Sequence, residues 1–542
     1  MMQPGDFTWM FGVGMVFAFM DAYGIGANDV SNAFATSISS GSLTLIQASI
    51  IACFTEFLGA LLLGSGTSET IKGGILSVAN FADQPEMLML AMLCAVFGSA
   101  VWVVFASNRG WPVSTTHSIV GAICGVGIAA FGGESLKWEW GGISSIVTSW
   151  FLSPIAAGLV AALLYTITKY AVLRRADSFT WGLRLVPVYF FFTLTINAFY
   201  IIYKGAPGTD AASLSVGTIV GISFGIGAAF ALFAQFFFVP WVYRRVKKHE
   251  DLRWYHVFLT PFLTARPTLQ QADPEMHAPT AAAAAAAETP TGDETIDEKV
   301  LAKGEELESI ETDGQQQHDP QDDTTFKSKL SQYKNKAINA AMHGLRQDVR
   351  NLDNADLKKV HAAATLYDDD AEYLFSFLQI LTACMASFAH GSNDVANAVG
   401  PLASIFDIWQ NARVDIAGTV PVPIWILAYG GVAIDIGLIT MGYKVMRKMG
   451  NNITYFTPSR GFCAELAAAL TVLTCSKLGL PVSTTHCITG ATAGIGLCSG
   501  NFRAVNWKMI GWCFFSWILT LPAAGLLAGL LFAFGSNAPN FI

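Results

Sequence analysis

"GWPVSTTHSIVGA" (Gly110–Ala122) and "GLPVSTTHCITGA" (Gly479–Ala491) are one phrase written twice in one chain. A run of Ser and Thr usually marks a loop or a helix cap in water. Here Val, Ile, Ala and Gly flank each run. The rest of the chain is equally oily: of 542 residues, 53% are hydrophobic and only 13% are charged. Soluble domains carry roughly 25% charged residues. Stretches such as Leu43–Gly66, Met87–Ala106, Leu183–Tyr203 and Val216–Val239 each reach the ~20 residues that cross a bilayer core. The composition therefore predicts an all-α polytopic membrane protein. No Lys or Arg precedes the first apolar run, so that run lacks the basic start of a cleavable signal and is expected to remain as a span.

Hydropathy predicts about twelve spans, centred near residues 17, 55, 97, 122, 158, 193, 228, 385, 432, 468, 490 and 520. Three parts follow: an N-terminal membrane half (1–243), a polar loop (244–370) and a C-terminal membrane half (371–542). Between Asp273 and Asp323 the loop holds 15 acidic residues against Lys299 and Lys303, so the overall charge of −8 belongs to this segment. Its low-complexity text cannot bury a core and is expected to be disordered. The edges "DLRWYHVFLTPFL" (251–263) and "KNKAINAAMHGLRQDVRNL" (334–352) are expected as helices on the membrane surface or the protein. Span seven ends in "YRRVKKHEDLR" (243–253). By the excess of Lys and Arg on the inner side, the loop is cytoplasmic and both termini extracellular. The nine cysteines form no CxxC pair and suggest neither a disulfide framework nor a zinc site.

A second phrase is also doubled. "GANDVSNAF" (Gly26–Phe34) returns as "GSNDVANAV" (Gly391–Val399). Asp29 precedes Ser114 by 85 residues and Asp394 precedes Ser483 by 89, so order and spacing both repeat. Seven spans precede the second copy. The two copies thus enter the membrane with opposite polarity, as inverted repeats whose site lies near the midplane.

Each phrase has a chemistry. Gly, Asn and Asp lower helix propensity and compete for backbone hydrogen bonds, so GxNDVxN is expected to break its helix. Asp29 and Asp394 are ionisable at membrane depth, at about 2.5 to 3.5 kcal/mol each, which makes a functional role the default over a plain capping Asp. In PVSTTH, Pro112 and Pro481 suit a helix start, placing Ser114, Thr115, Thr116 and Ser483, Thr484, Thr485 in a first turn. Free N–H groups and the positive dipole end there favour an anion. Simple capping explains one hydroxyl per copy, not three. Asp and Asn oxygens suit a small hard cation such as sodium rather than a transition metal. Glu56 and Glu465 lie deep in apolar spans without matching each other, as separate adaptations for cation or proton or as hydrogen-bonded carboxylic acids. Asp21 and Asp435 are weaker candidates. His390 stands four residues before Asp394, and like His117 and His486 it is expected to hydrogen-bond from behind the site rather than to bind a metal.

At these motifs the chain resembles the inorganic phosphate transporter (PiT) family. Its twelve spans and long insertion look like the eukaryotic sodium–phosphate symporters, fungal ones in particular. The resemblance covers both membrane halves but not the loop. It implies a plasma-membrane importer that moves phosphate with sodium by alternating access, commonly as a homodimer, with no nucleic acid, no enzyme chemistry and no cofactor besides the co-transported sodium. By position it implies phosphate at Ser114, Thr115, Thr116, Ser483, Thr484 and Thr485 with Asn28 and Asn393 nearby. Sodium would sit at Asp29, Asn32, Asp394 and Asn397; Glu56 and Glu465 match glutamates essential for transport, and with His390 they are the candidates for coupling. Ser31 stands where many members have Ala. The residues alone leave open a proton as coupling ion, another tetrahedral anion, a passive anion channel, and an intramembrane hydrolase built on Ser114 or Ser483; mirrored duplication argues against the hydrolase.

Overall fold

The computed structural model describes residues 2–64, 75–140, 142–204, 214–268, 355–416, 422–477 and 482–537. The architecture is helical, and among the described residues the only β pairings are the single bridges Leu76–Leu136 and Glu250–Thr268. The N-terminal half holds α1 (Thr8–Ile25), α2 (Ser31–Ser39), α3 (Leu45–Leu63), α4 (Pro85–Asn108), α5 (Thr115–Phe131), α6 (Ile143–Thr168), α7 (Ser178–Lys204), α8 (Val216–Phe233) and α9 (Val239–Val246). After the loop come α10 (Ala355–Ala362), α11 (Asp369–Asn411), α12 (Ile424–Met441), α13 (Tyr443–Ile453), α14 (Pro458–Lys477), α15 (Thr484–Leu497) and α16 (Trp507–Asn537). Among the described residues, nine helical segments are long and apolar enough to cross a membrane. The twelve centres expected from hydropathy all fall inside helices. The stretch 334–352 and Pro481 lie outside the described residues, while 251–263 forms 3₁₀ turns at Trp254–Phe258 and Thr260–Phe262 rather than the expected helix.

Local chemistry accounts for several boundaries. Thr44 and Gln47 form a reciprocal capping box at the start of α3. Gly110, at φ +67°, turns the chain after α4. Ser114 then caps α5 by accepting from His117 N at 3.2 Å, and Ser483 caps α15 by accepting from His486 N at 3.4 Å. The helix starts expected from PVSTTH are real.

The expected breaks at GxNDVxN are not. Gly26–Val30 forms a π-helical turn between α1 and α2, with its flanking residues in helical geometry, and α11 runs unbroken through Gly391–Val399. Propensity loses here because tertiary partners take up the polar side chains. Asn28 and Asp29 find acceptors and donors on α5 and the segment that leads into it, so they have no need to compete for their own backbone. A π turn adds one residue to a helical turn and re-aims the side chains there, which suits the site built on it.

The two motif helices are packed by reciprocal close approaches. A Cβ on Gly26 would lie 1.8 Å from the Ile434 carbonyl oxygen, and one on Gly437 1.9 Å from that of Tyr23, which locks α1 to α12. A Cβ on Gly391 would lie 2.3 Å from the Glu56 oxygen, and one on Gly59 2.2 Å from that of Phe388, which locks α11 to α3. Each motif helix thus lies against the second span of the opposite half. The PVSTTH helices also pack across the halves. Gly121 and Gly125 approach Leu521 and Gly525 of α16, while Gly490 and Gly494 approach Pro154 and Gly158 of α6. Small residues four apart allow such backbone contact between membrane helices.

This packing makes Gly125→Val a severe change, because its Cβ would fall 2.0 Å from the Gly525 oxygen. We expect a loss of ~1–3 kcal/mol or more from overpacking, read as a lower melting temperature in detergent. Gly221→Ala, which meets open space, should melt like the parent. Equal melting of both variants would contradict the assigned contact.

Candidate functional site

The site forms where the π turn, α11 and the first turns of α5 and α15 converge. The Asp29 carboxylate is its centre. Thr115 Oγ1 donates to Oδ2 at 2.6 Å, and Thr485 Oγ1 donates to Oδ1 at 2.7 Å. One carboxylate therefore receives a hydroxyl from each PVSTTH copy. Asp394 is served similarly: Thr484 Oγ1 donates to Oδ2 at 3.0 Å and Asn393 Nδ2 to Oδ1 at 2.9 Å. Asn397 closes the ring, its Nδ2 reaching Thr115 Oγ1 at 3.3 Å and Thr116 Oγ1 at 3.4 Å. Ser114, Thr115, Thr116, Ser483 and Thr485 are all buried, so these hydroxyls face protein and not lipid. The side chain of Asn32 lies outside the described residues.

Asn28 points elsewhere. Its Nδ2 donates to the Trp111 carbonyl at 2.9 Å and to Ser107 Oγ at 3.0 Å, and its Oδ1 accepts from Val113 N at 3.1 Å. Two of these bonds hold the extended segment that leads into α5, and the third ties Asn28 to the end of α4. Asn393 also reaches toward the matching segment, with Nδ2 3.5 Å from the Val482 carbonyl.

Behind the paired aspartates lies a carboxylate–imidazole–carboxylate row. Glu56 Oε2 is 2.8 Å from His390 Nδ1, and His390 Nε2 is 2.9 Å from Asp394 Oδ2. Ser387 donates to Glu56 Oε1 at 2.7 Å. Donor atoms of Asp29, His390 and Asp394 all lie within 4.8 Å of one another, and all three residues are buried. Two carboxylates this close repel strongly in a low-dielectric interior. Such a pair is stable when a cation or a proton joins it.

Glu465 occupies a separate hydroxyl cradle. Its Oε1 accepts from Thr36 and Ser37 at 2.6 Å each and from Gln379 Nε2 at 3.1 Å, while Oε2 accepts from Thr382 at 2.7 Å. A cavity of about 30 Å³ connects the two centres, with Asp29, His390, Thr484 and Glu465 as its polar walls. Glu56 and Glu465 thus both reach across: Glu56 to α11 of the other half, Glu465 to α2 as well as α11. The partners Thr36 and Ser387 escaped the sequence reading. A signal existed, since Thr36 follows Asp29 by seven residues and Ser387 precedes Asp394 by seven, two helical turns along one face.

Among the remaining candidates, Asp21 accepts from Ser99 Oγ at 2.8 Å, away from the central ring. His117 and His486 differ from expectation. Their rings meet edge to face at 4.5 Å and lean on Trp150 and Trp517. Aromatic packing holds them where hydrogen bonding was expected, because each lies on the side of its helix that faces the other's.

The phosphate transporter family matches residues 25–528. The chain belongs to that family. The phosphate-repressible phosphate permease pho-4 of Neurospora crassa is 36% identical, over 99% of each chain. Sodium-dependent phosphate transporter 1 of Mus musculus is 30% identical over 97% of this chain and 95% of its own. A solved structure titled the sodium-dependent phosphate transporter superposes with a TM-score of 0.67 at 26% identity, covering 98% of this chain and all of that one. Family and relatives are transporters, not enzymes.

Asn28 offers a direct check on the transporter's site. Asn28→Ala removes three hydrogen bonds, two of them buried, so stability should fall by about 1–3 kcal/mol along with phosphate uptake. A variant with a raised KM and unchanged melting would show instead that Asn28 touches substrate and does not hold the loop.

Proposed function

We propose that this chain is a sodium-coupled symporter that imports inorganic phosphate by alternating access. The observation that carries the reading is the Asp29 carboxylate, which takes one threonine hydroxyl from each PVSTTH helix. In this arrangement the carboxylate fills the place of the anion. Sodium, a hard cation suited to oxygen ligands, would bind Asp29, Asn32, Asp394 and Asn397. Once the carboxylate oxygens turn to sodium, the hydroxyls of Thr115 and Thr485 are released to donate to phosphate. A hydroxyl can offer its lone pair to the cation and its proton to the anion at once. Ser114, Thr116, Ser483 and Thr484 supply further donors. Asn28, whose polar atoms are engaged by the loop, contributes through position, and Asn393 stands beside Asp394.

Coupling follows from the exchange. Without sodium, phosphate must compete with a fixed negative charge for the same hydroxyls. With sodium the charge is offset and the donors are free. Each ligand raises the affinity of the other by the same factor, as linkage requires. The buried hydroxyls and the small cavity support a site whose cargo enters and leaves through movement of the halves. The reciprocal glycine contacts of α1 with α12 and of α11 with α3 support two inverted repeats within twelve spans. Glu56 and His390 orient Asp394, and Glu465 flanks the cavity. We place the protein in the plasma membrane as a homodimer, with its termini outside and its polar loop (244–370) inside.

Proteoliposomes test this reading. Uptake of labelled phosphate should rise with an inward sodium gradient and vanish when choline replaces sodium at fixed pH. Asp29→Asn should abolish the sodium stimulation while the protein still reaches the membrane; unchanged stimulation would refute the assignment. Thr485→Val removes one bond to a charged group, worth ~1.5–3 kcal/mol, and should raise the KM for phosphate roughly ten- to a hundred-fold. One observation favours a second reading: His390 held between Glu56 and Asp394 is also a row fit for a proton. That reading predicts uptake which follows a pH gradient and persists in choline.

A further inference from the structure

The 3₁₀ segment after α9 carries an apolar surface that transport does not use. Trp254 (72% exposed), Phe258 (57%), Leu259 (51%) and Phe262 (81%) present large exposed apolar side chains. Exposed aromatic rings next to a membrane span ask at what depth they lie. The Phe258 ring contacts that of Phe233 at 5.5 Å. Phe233 precedes Arg244 by eleven residues, which is about 16 Å along the helix. The chain therefore leaves the span, turns near Lys247–Glu250, and runs back alongside it.

How the segment satisfies its backbone points to the same depth. Arg244 donates to the carbonyls of Thr260, Leu263 and Thr264 at 3.2, 3.0 and 2.8 Å. Arg245 donates to that of Leu252 at 2.6 Å, and Trp241 Nε1 to that of Arg253 at 3.2 Å. Five irregular carbonyls are thus capped by side chains of the span itself. Water would do this for a cytosolic loop; non-helical backbone at membrane depth must find its partners in protein. Glu250, buried, accepts from Arg244 Nε and Nη2 at 2.9 and 2.6 Å and from Arg266 N at 3.2 Å. The guanidinium holds its carboxyl below the usual carboxylate range. The fold of this piece is therefore locked with its rings outward.

The exposed charges around it are mainly basic. Along residues 248–268, exposed Lys248, Arg253 and Arg266 outnumber the one exposed acid, Asp251, while Glu250 is buried against Arg244 and Asp370 is paired with Lys247 at 2.7 Å. Basic residues bordering inserted aromatic rings match a surface of anionic headgroups.

We propose that Leu252–Arg266 is a re-entrant foot, sunk in the bilayer interface on the basic face of the protein, that holds an anionic phospholipid through Lys248, Arg253 and Arg266. The rings of Trp254, Phe258 and Phe262 lie among the acyl chains, and the three basic side chains meet the headgroup phosphate. The foot does not depend on which ion drives transport.

The test uses the full-length protein in nanodiscs of phosphatidylcholine with phosphatidylserine. A benzophenone side chain placed at position 262 should crosslink to phospholipid on illumination. Native mass spectrometry should find phosphatidylserine retained over phosphatidylcholine. The triple variant Lys248→Gln, Arg253→Gln, Arg266→Gln should lose that preference by roughly a hundred-fold, while eluting as a single species like the parent. Crosslinks to protein instead of lipid, whether a partner or residues 269–354 of this chain, would overturn the proposal. So would equal phosphatidylserine retention by parent and triple variant. Sodium-driven uptake, measured on the same samples, separates failure of the foot from failure of the transport reading.

Discussion

The Asp29 carboxylate lies where the two halves of the chain meet, and both halves donate a threonine hydroxyl to it. An ionisable group at this depth is tolerable only with partners, since an isolated charge in an apolar interior costs far more than folding can offset. Much of the architecture can be read as the means of supplying those partners. The π turn aims Asp29 at the helix starts. Asn28 fixes the extended segment that precedes α5. The glycines of α5 and α15 let these helices sit against α16 and α6 closely enough to hold their first turns in place. The site and the packing are thus one problem with one solution.

A carboxylate that borrows the donors of an anion gives a simple physical basis for coupled transport. The helix starts and hydroxyls favour negative charge, and a fixed aspartate supplies it when cargo is absent. In the proposed cycle, phosphate would gain those donors fully only after something offsets the aspartate. The paired Asp394, held by Thr484, Asn393 and His390, doubles the requirement for a cation. On this account ion and anion need not touch to be linked, because they exchange the same hydrogen bonds.

Much of this was legible in the sequence, and the rest was hidden for identifiable reasons. Length and hydropathy gave helices at every expected centre, and Pro followed by Ser gave the helix starts of α5 and, by its serine, α15. The duplicated aspartates announced themselves because charge at membrane depth is costly. The continuity of α11 through Gly391–Val399 was not legible. Local propensity speaks against it, and only the neighbours that engage Asp394 explain it. The Glu56–His390 pairing joins residues of different halves, and no local spacing encodes such a contact. His117 and His486 looked like polar groups in need of partners, yet each is held by rings from distant helices. The glycines at the seventh and eleventh positions after Ser114 and Ser483 were readable in principle as a close-packing face.

Calorimetric titration of the purified protein with phosphate, across a series of sodium concentrations at constant ionic strength in choline, reaches the exchange of hydroxyls most directly. The account predicts that the phosphate Kd falls as sodium rises, that phosphate lowers the sodium Kd by the same factor, and that this dependence disappears in Asp29→Asn. Phosphate binding with one affinity at every sodium concentration in the parent protein would contradict it.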